Sequence, residues 1–325
     1  MRTYRELWHD HQESWLKTCV YPNDQENGVV VVKATHSLVS HGTERLVTTS
    51  KLSTNAAQAM RIPHMKGDFN NQFTYGYSLV GEVIKGPGKI IGKKVHLLHP
   101  HQEFAFVNTN EISIVPDVLS PNVATLASNM ETAVNANWDA NINMGDQVLI
   151  IGYGVIGALV ASLVIQYPGV KLTVVELDDD RAAKASGFGI TVVGSTDELA
   201  SDFDIAFNSS GSETGLQVAI DKTITDGKII ELSWYGSKHV TVDLGNAFHY
   251  GRKRIISSQV GRIPATKQHN WNFEKRKKMV FDLLKQPEMG ELLKNEIVFS
   301  ESPEFYKKLR NREINEFSTV INYNP

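Results

Sequence analysis

Ten residues constrain this chain more than any other stretch: Val148-Leu149-Ile150-Ile151-Gly152-Tyr153-Gly154-Val155-Ile156-Gly157. An apolar run of strand length breaks on three glycines spaced G-x-G-x-x-G. Ala158 to Gln166 then reads as the start of an apolar helix, and Lys171 to Glu176 as a second strand ending in an acid. Each part has a physical task. Gly152 permits a tight turn, Gly154 lets the backbone approach a diphosphate, and Gly157 lets the helix pack close to the strand. The first helical residues, Val155 and Ile156, offer N–H groups without intrahelical partners to the phosphates. Glu176 follows Gly152 by 24 residues and can accept hydrogen bonds from a ribose diol. An isolated glycine triplet is equally a plain turn. Set between two strands, with the acid at this distance, it points to a dinucleotide, and a carboxylate there favours NAD over NADP because it repels a 2′-phosphate.

The chain of 325 residues suggests about two domains. A net charge of −3 provides no electrostatic basis for binding nucleic acid or an anionic membrane. Cys19 is the one cysteine, which excludes an intrachain disulfide and a cysteine-rich zinc site and fits a reducing, cytoplasmic location. Residues 1–10 lack the apolar core of a signal peptide, and no apolar run approaches the ~18 residues of a membrane span.

Residues 1–121 read as strands and turns. Val29 to Ala34 is strongly β-branched, and Gly81–Ile84 and Lys94–Leu98 flank the turn-rich Lys85-Gly86-Pro87-Gly88-Lys89. Glu103–Val107 and Ile112–Val115 are two further short strands, and Asn122–Trp138 reads as helical. Through residue 258 strands alternate with helices, with Phe203–Phe207, Lys228–Leu232 and Arg254–Ser257 as strands and Gly215–Lys222 as a helix. That alternation means an α/β fold with a doubly wound parallel sheet. The tail, 259–325, carries an amphipathic helix near Phe273–Lys285 and a strand at Ser318–Tyr323, which is expected to return to the first domain's sheet because a strand needs a partner.

The order of these parts resembles the medium-chain dehydrogenase/reductase superfamily over essentially the whole chain. The likeness is carried by Ser40-His41-Gly42-Thr43-Glu44, Tyr75-Gly76-Tyr77-Ser78-Leu79-Val80-Gly81, Asn143-Met144-Gly145-Asp146 and Asp226-Gly227-Lys228-Ile229-Ile230. Asn129-Met130-Glu131-Thr132-Ala133 and Ser257-Ser258-Gln259-Val260-Gly261-Arg262 are most similar to a branch that includes bacteriochlorophyllide-type hydroxyethyl dehydrogenases. The resemblance implies a GroES-like catalytic domain (1–121, completed by the tail), a Rossmann domain (122–258), an active site in the cleft between them, hydride transfer with a nicotinamide cofactor, and a homodimer. Arg181 complicates the preference for NAD, but the resemblance implies that a basic residue at this offset also contacts the adenosine ribose in NAD-using relatives. Ser210 and Gly211, after the strand at 203–207, are expected to line the cofactor crevice, and Ser233 to Gly236 to present backbone groups to it.

Zinc-dependent members hold a catalytic metal that here lacks its ligands. His41-Gly42-Thr43-Glu44 stands where they have Cys-Gly-Thr-Asp, Gly76-Tyr77-Ser78 where they have Gly-His-Glu, and the third ligand falls near Ala127. A catalytic zinc needs three protein ligands, and His41 alone has the chemistry, so no zinc is expected. Another group must then handle the proton. Tyr77 is one candidate, as a phenol facing the substrate or as packing in the wall. Glu131 is a second, as acid or base or as a carboxylate favourably placed at a helix start. His99 and His101, two apart on one strand face, are a third, as a relay or as satisfied histidines. The expected function is zinc-independent, NAD-dependent interconversion of an alcohol and a carbonyl on a small organic substrate. Two alternatives stand beside it: a zinc-free NAD(P)H-dependent quinone or enoyl reductase, and a nucleotide-binding protein without turnover.

Overall fold

The structure, a computed structural model, describes residues 2–22 and 28–324. The chain divides into two compact units, Met1–Ser128 with Lys277–Pro325, and Asn129–Arg276.

The first unit opens with an antiparallel hairpin, β1 (Thr3–His9) and β2 (Ser14–Val20), which the sequence pattern did not reveal. Its turn is fixed by Asp10, whose Oδ1 accepts the N–H of Gln12 and Glu13 at 2.7 and 2.8 Å. The main sheet is built on β3 (Val29–Val39), an eleven-residue strand whose β-branched residues suit a pleated, two-sided surface. It pairs with β4 (Leu79–Lys85) and β6 (Phe104–Asn108), while β4 carries β5 (Lys94–Leu97) and β5 carries β7 (Ser113–Ile114). Alternation on β3 serves two cores. Val30, Val32 and Ala34 pack with Leu79, Val83 and Val95, and Val31 turns the other way onto Tyr4 and Phe104.

The second unit is a six-stranded parallel sheet. Its strands are β8 (Gln147–Ile151), β9 (Lys171–Val175), β10 (Thr191–Val193), β11 (Phe203–Asn208), β12 (Thr223–Glu231) and β13 (Arg254–Ser257), in the order β10-β9-β8-β11-β12-β13. This is the doubly wound order 3-2-1-4-5-6, with the reversal between β8 and β11. Val148, Leu149 and Ile150 have no exposed surface, as expected of a strand covered on both faces.

The chain then returns to the first unit, where β14 (Asn295–Val298) pairs with β15 (Thr319–Asn322) and β15 pairs antiparallel with β3. The units divide at 128/129 and 276/277, not at 121/122 and 258/259, and side-chain bonds account for the difference. Ser78 Oγ donates to Thr125 O at 2.5 Å and Ser128 Oγ to Tyr77 O at 2.8 Å, which ties 122–128 to the first unit. Asn135 Nδ2 donates to Gln259 O and Arg262 O at 3.1 and 2.7 Å, which ties the start of the tail to the second. The single helix expected over 122–138 is two, Pro121–Ala124 and Ala127–Ala140, the first capped by Ser120 Oγ accepting from Val123 N–H. No helix of the described residues is long and apolar enough to cross a membrane.

Candidate functional site

In the second unit, β8 ends in the glycine turn and the helix Val155–Val164 begins at Gly154 with no side-chain cap. Two of the three glycines are required by the protein itself. Gly152 has φ +90°, and a Cβ on Gly157 would lie 2.1 Å from Gly152 O. Gly154 is different. Its φ of −74° suits any residue, and a Cβ there meets nothing within 4 Å. No neighbour among the described residues demands glycine, whereas a diphosphate on the uncapped N–H groups of Val155, Ile156 and Gly157 would. The residues present therefore fit a dinucleotide.

Glu176 directly follows β9 and is 9% exposed. Its Oε2 accepts Tyr153 N–H at 2.7 Å, and its Oε1 accepts Leu177 and Asp178 N–H at 2.8 and 3.0 Å. The carboxylate thus clamps the glycine turn to the end of β9 and still has lone-pair capacity for a diol hydroxyl. Arg181 lies in the first turn of the helix Asp179–Gly187, where its N–H is received by the capping Asp178 Oδ1 at 3.0 Å. Ser210 and Gly211 follow β11 and are exposed; Ser210 Oγ donates to Asn208 Oδ1 at 2.7 Å, and Gly211, at φ +68°, donates its N–H to Ser233 Oγ at 3.0 Å.

In the first unit, Tyr77 is half-buried, and its phenol is hydrogen-bonded by the hydroxyls of Ser40 and Thr43. Burial pushes its pKa up to about 12, helped by the charge of Glu44 and opposed by those two hydroxyls. It is therefore protonated at neutral pH, a neutral donor with two hydroxyls behind it. His41 Nε2 lies 2.9 Å from Thr319 Oγ1 on β15. Among the described residues, no three His, Cys, Asp or Glu side chains form a group that could hold a metal ion.

Three further candidates for proton transfer have buried side chains with partners inside the first or second unit. His101 has no exposed surface. Its Nε2–H donates to Glu44 at 3.1 Å, which leaves Nδ1 to accept from Ser37 Oγ at 2.7 Å, so both ring nitrogens are used within the core. His99 does not act with it. It is 2% exposed, stacks on His64 at 5.0 Å, and places Nδ1 3.0 Å from Pro100 O. Glu131, in the helix Ala127–Ala140, is 6% exposed and ion-paired at 3.3 Å with Arg276, whose Nη1 also bonds Asn135 Oδ1 at 2.7 Å. The Glu131 carboxylate thus faces a guanidinium inside the second unit. What the sequence reading missed is the buried Glu44. Its Oε1 accepts Ser40 N–H at 2.8 Å and its Oε2 is shared by His101 and the phenol of Tyr306. The Ser40–Glu44 spacing was the available local signal; Tyr306 lies too far along the chain to give one.

No protein-family model matches the sequence, and no curated protein matches it either. Solved structures do match the fold along almost the whole chain. The 2R,3R-butanediol dehydrogenase of Bacillus subtilis is 17% identical, with a TM-score of 0.78 over 99% of this chain and 100% of that one. The acetophenone reductase of Geotrichum candidum, solved with NAD, is 18% identical, with a TM-score of 0.76 over 99% and 98%. A protein of Sinorhizobium meliloti assigned as a zinc-binding dehydrogenase and solved with NADP is 12% identical, with a TM-score of 0.77 over 99% and 100%. At such identities the likeness shows the fold: the α/β architecture of medium-chain dehydrogenases, a GroES-like unit with a Rossmann unit.

The buried histidines set a pH dependence of stability. Burial holds the pKa of His99 down at about 4, below the ~6.5 of an unfolded chain. Between those values the unfolded chain binds more protons, so the contribution is complete above pH 6.5 and is lost as pH falls toward 4. In urea unfolding at several pH values, His99→Gln should remove up to about 1.4 kcal/mol per pH unit of slope across that window. An unchanged slope would mean that His99 is not buried in its neutral form.

Proposed function

We propose that this protein is a nicotinamide-dependent oxidoreductase that interconverts an alcohol and a carbonyl on a small organic substrate, prefers NAD to NADP, and works without zinc. The observation that carries the reading is Gly154, a glycine that the surrounding protein does not require, at the uncapped start of a helix whose neighbouring strand ends in Glu176. The fold shared with the butanediol dehydrogenase and the acetophenone reductase supports the reaction class, and the NAD in the latter supports the cofactor. Glu176 supports NAD, since a 2′-phosphate beside a buried carboxylate would face repulsion and the loss of its water. The zinc-free reading is supported by the residues themselves: His41 faces Thr319, Tyr77 is a phenol, and position 127 is alanine.

When bound, the cofactor accepts or supplies the hydride. The chain's own part is to bind, orient and carry a proton. Gly154 and the first-turn N–H groups of Val155–Val164 receive the diphosphate, and Glu176 and Arg181 receive the adenosine ribose. In the reducing direction Tyr77 donates its phenolic proton to the carbonyl oxygen, which becomes the alcohol, and the hydroxyls of Ser40 and Thr43 stabilise the phenolate left behind. We assign no acid–base role to His99, His101 or Glu131.

Gly154→Ala tests the carrying observation. Its Cβ meets no protein atom, so the melting temperature should stay within about 2 °C of the parent while NADH affinity falls by about a hundredfold, as measured by fluorescence titration. Unchanged NADH affinity would remove the basis of the reading. Tyr77→Phe should lower kcat for carbonyl reduction with NADH by roughly 10²-fold or more with NADH affinity intact. Full activity in that variant would mean that another group handles the proton, and stoichiometric zinc in the purified, active protein would overturn the metal-free part.

A further inference from the structure

The nicotinamide-side half of the second unit contains a side-chain network that cofactor binding as described does not use. Asn208 ends β11 and Glu231 ends β12, paired in register across the sheet. Asn208 is fully buried; its Nδ2 donates to Glu231 Oε2 at 2.8 Å and to Tyr235 OH at 3.1 Å, and its Oδ1 accepts from Ser210 Oγ. Glu231 Oε1 accepts Ser233 N–H at 2.7 Å. Ser233 Oγ donates to Asn208 O at 3.3 Å and accepts Gly211 N–H. These bonds lace the loop after β11 to the loop after β12. The helix Glu213–Lys222 is fitted to them, because a Cβ on Gly215 would lie 2.3 Å from Ser210 Oγ and 3.1 Å from Asn208 Oδ1.

The same device stands in the other half of the sheet. There Glu176, at the end of β9, accepts one N–H from the turn after β8 and two from its own loop. In the order 3-2-1-4-5-6, β8 and β9 correspond to β11 and β12 as the first and second strands of the two mononucleotide-binding halves. Each half thus closes its second strand with a carboxylate that grips its own loop and the end of the first strand. Glu231 is half-buried and its hydrogen-bond partners are neutral: an amide, a backbone N–H and a phenol. A partly buried carboxylate held by neutral groups gains less than one facing a cation, so its place in the network is not explained by charge pairing. Such an exception to core chemistry, at strand ends that border a ligand crevice, marks a functional site.

We infer that Glu231 and Asn208 are positioning residues for the nicotinamide-side mononucleotide: they hold the Ser210–Gly211 and Ser233–Tyr235 loops in the shape that receives it. The inference rests on the cofactor reading above. Glu231→Gln keeps one carbonyl oxygen for Ser233 N–H but replaces the other acceptor with an NH2 group, which sets a donor against Asn208 Nδ2–H. Asn208→Asp sets a second carboxylate against the first. Exchanging the two side-chain types restores a donor facing an acceptor with one charge, since the amide introduced on β12 would donate to the carboxylate introduced on β11 and still receive Ser233 N–H.

The experiment titrates the full chain and its Glu231→Gln, Asn208→Asp and exchanged double variants with NADH and with ADP, which occupies the adenosine half alone. Glu231→Gln should weaken NADH about tenfold and leave ADP within about twofold, and the double variant should recover most of the NADH affinity. Asn208→Asp should weaken NADH as well, because two carboxylates then face each other at the strand ends. Equal losses of NADH and ADP affinity, unchanged NADH affinity in Glu231→Gln, or a double variant no better than the single would overturn the inference. If Glu231→Gln does not fold, Ser233→Ala serves in its place; it severs the link to Gly211 and should weaken NADH about threefold with ADP unaffected, and parental NADH affinity there would overturn it. A parent chain that binds neither ligand would instead sink the cofactor reading itself.

Discussion

The approach of Gly157 to the carbonyl of Gly152 is the constraint on which the nucleotide unit depends. No side chain fits between them. That contact seats the helix Val155–Val164 against β8, and the seating aims its uncapped N–H groups past the carboxyl ends of the strands. Glu176 completes the frame by binding Tyr153 N–H, so the turn is held from the neighbouring strand as well as by its own backbone. Gly154 is thereby left as the position at which the frame is open. Two glycines serve the fold, and at the third the fold makes no such demand.

The first unit depends on a different kind of interaction, a buried carboxylate shared among distant parts of the chain. Glu44 gathers the N terminus of its own helix, His101 from the loop before β6, and Tyr306 from the tail. Burial and the Glu44 charge push the Tyr306 phenol well up, so it remains a donor to that carboxylate. From His101 the bonds continue through Ser37 to the hydroxyl of Tyr323. Tail, loop and first helix are thus fixed together behind Ser40 and Thr43, the two hydroxyls that hold Tyr77. Polar groups that would be costly alone become specific when each is satisfied.

The nucleotide unit was largely legible in the sequence because its determinants are local. Strand, turn, helix and acid follow one another within thirty residues, from Val148 to Glu176, and each has a residue type suited to its conformation. The hairpin at Thr3–Val20 was not singled out, although its turn is set locally by Asp10; its attachment to the rest of the unit, through bonds such as Leu7 N–H to His101 O, lies beyond any local signal. The partners of the histidines were hidden for the same reason. Spacing alone placed His99 and His101 on one face, whereas stacking on His64 and the pull of Glu44 give them separate, buried tasks. The ion pair of Glu131 with Arg276 was not legible because the two lie 145 residues apart. Tyr77 and Glu176 could be singled out because each departs from, or completes, a short motif.

The central claim is that this scaffold holds NAD through the glycine turn and Glu176. Parallel titrations with NADH and NADPH under identical conditions test it most directly. The account predicts that NADH binds at least about tenfold more tightly, the margin set by placing a 2′-phosphate against a buried carboxylate. NADPH binding as tightly as NADH, or more tightly, would contradict it.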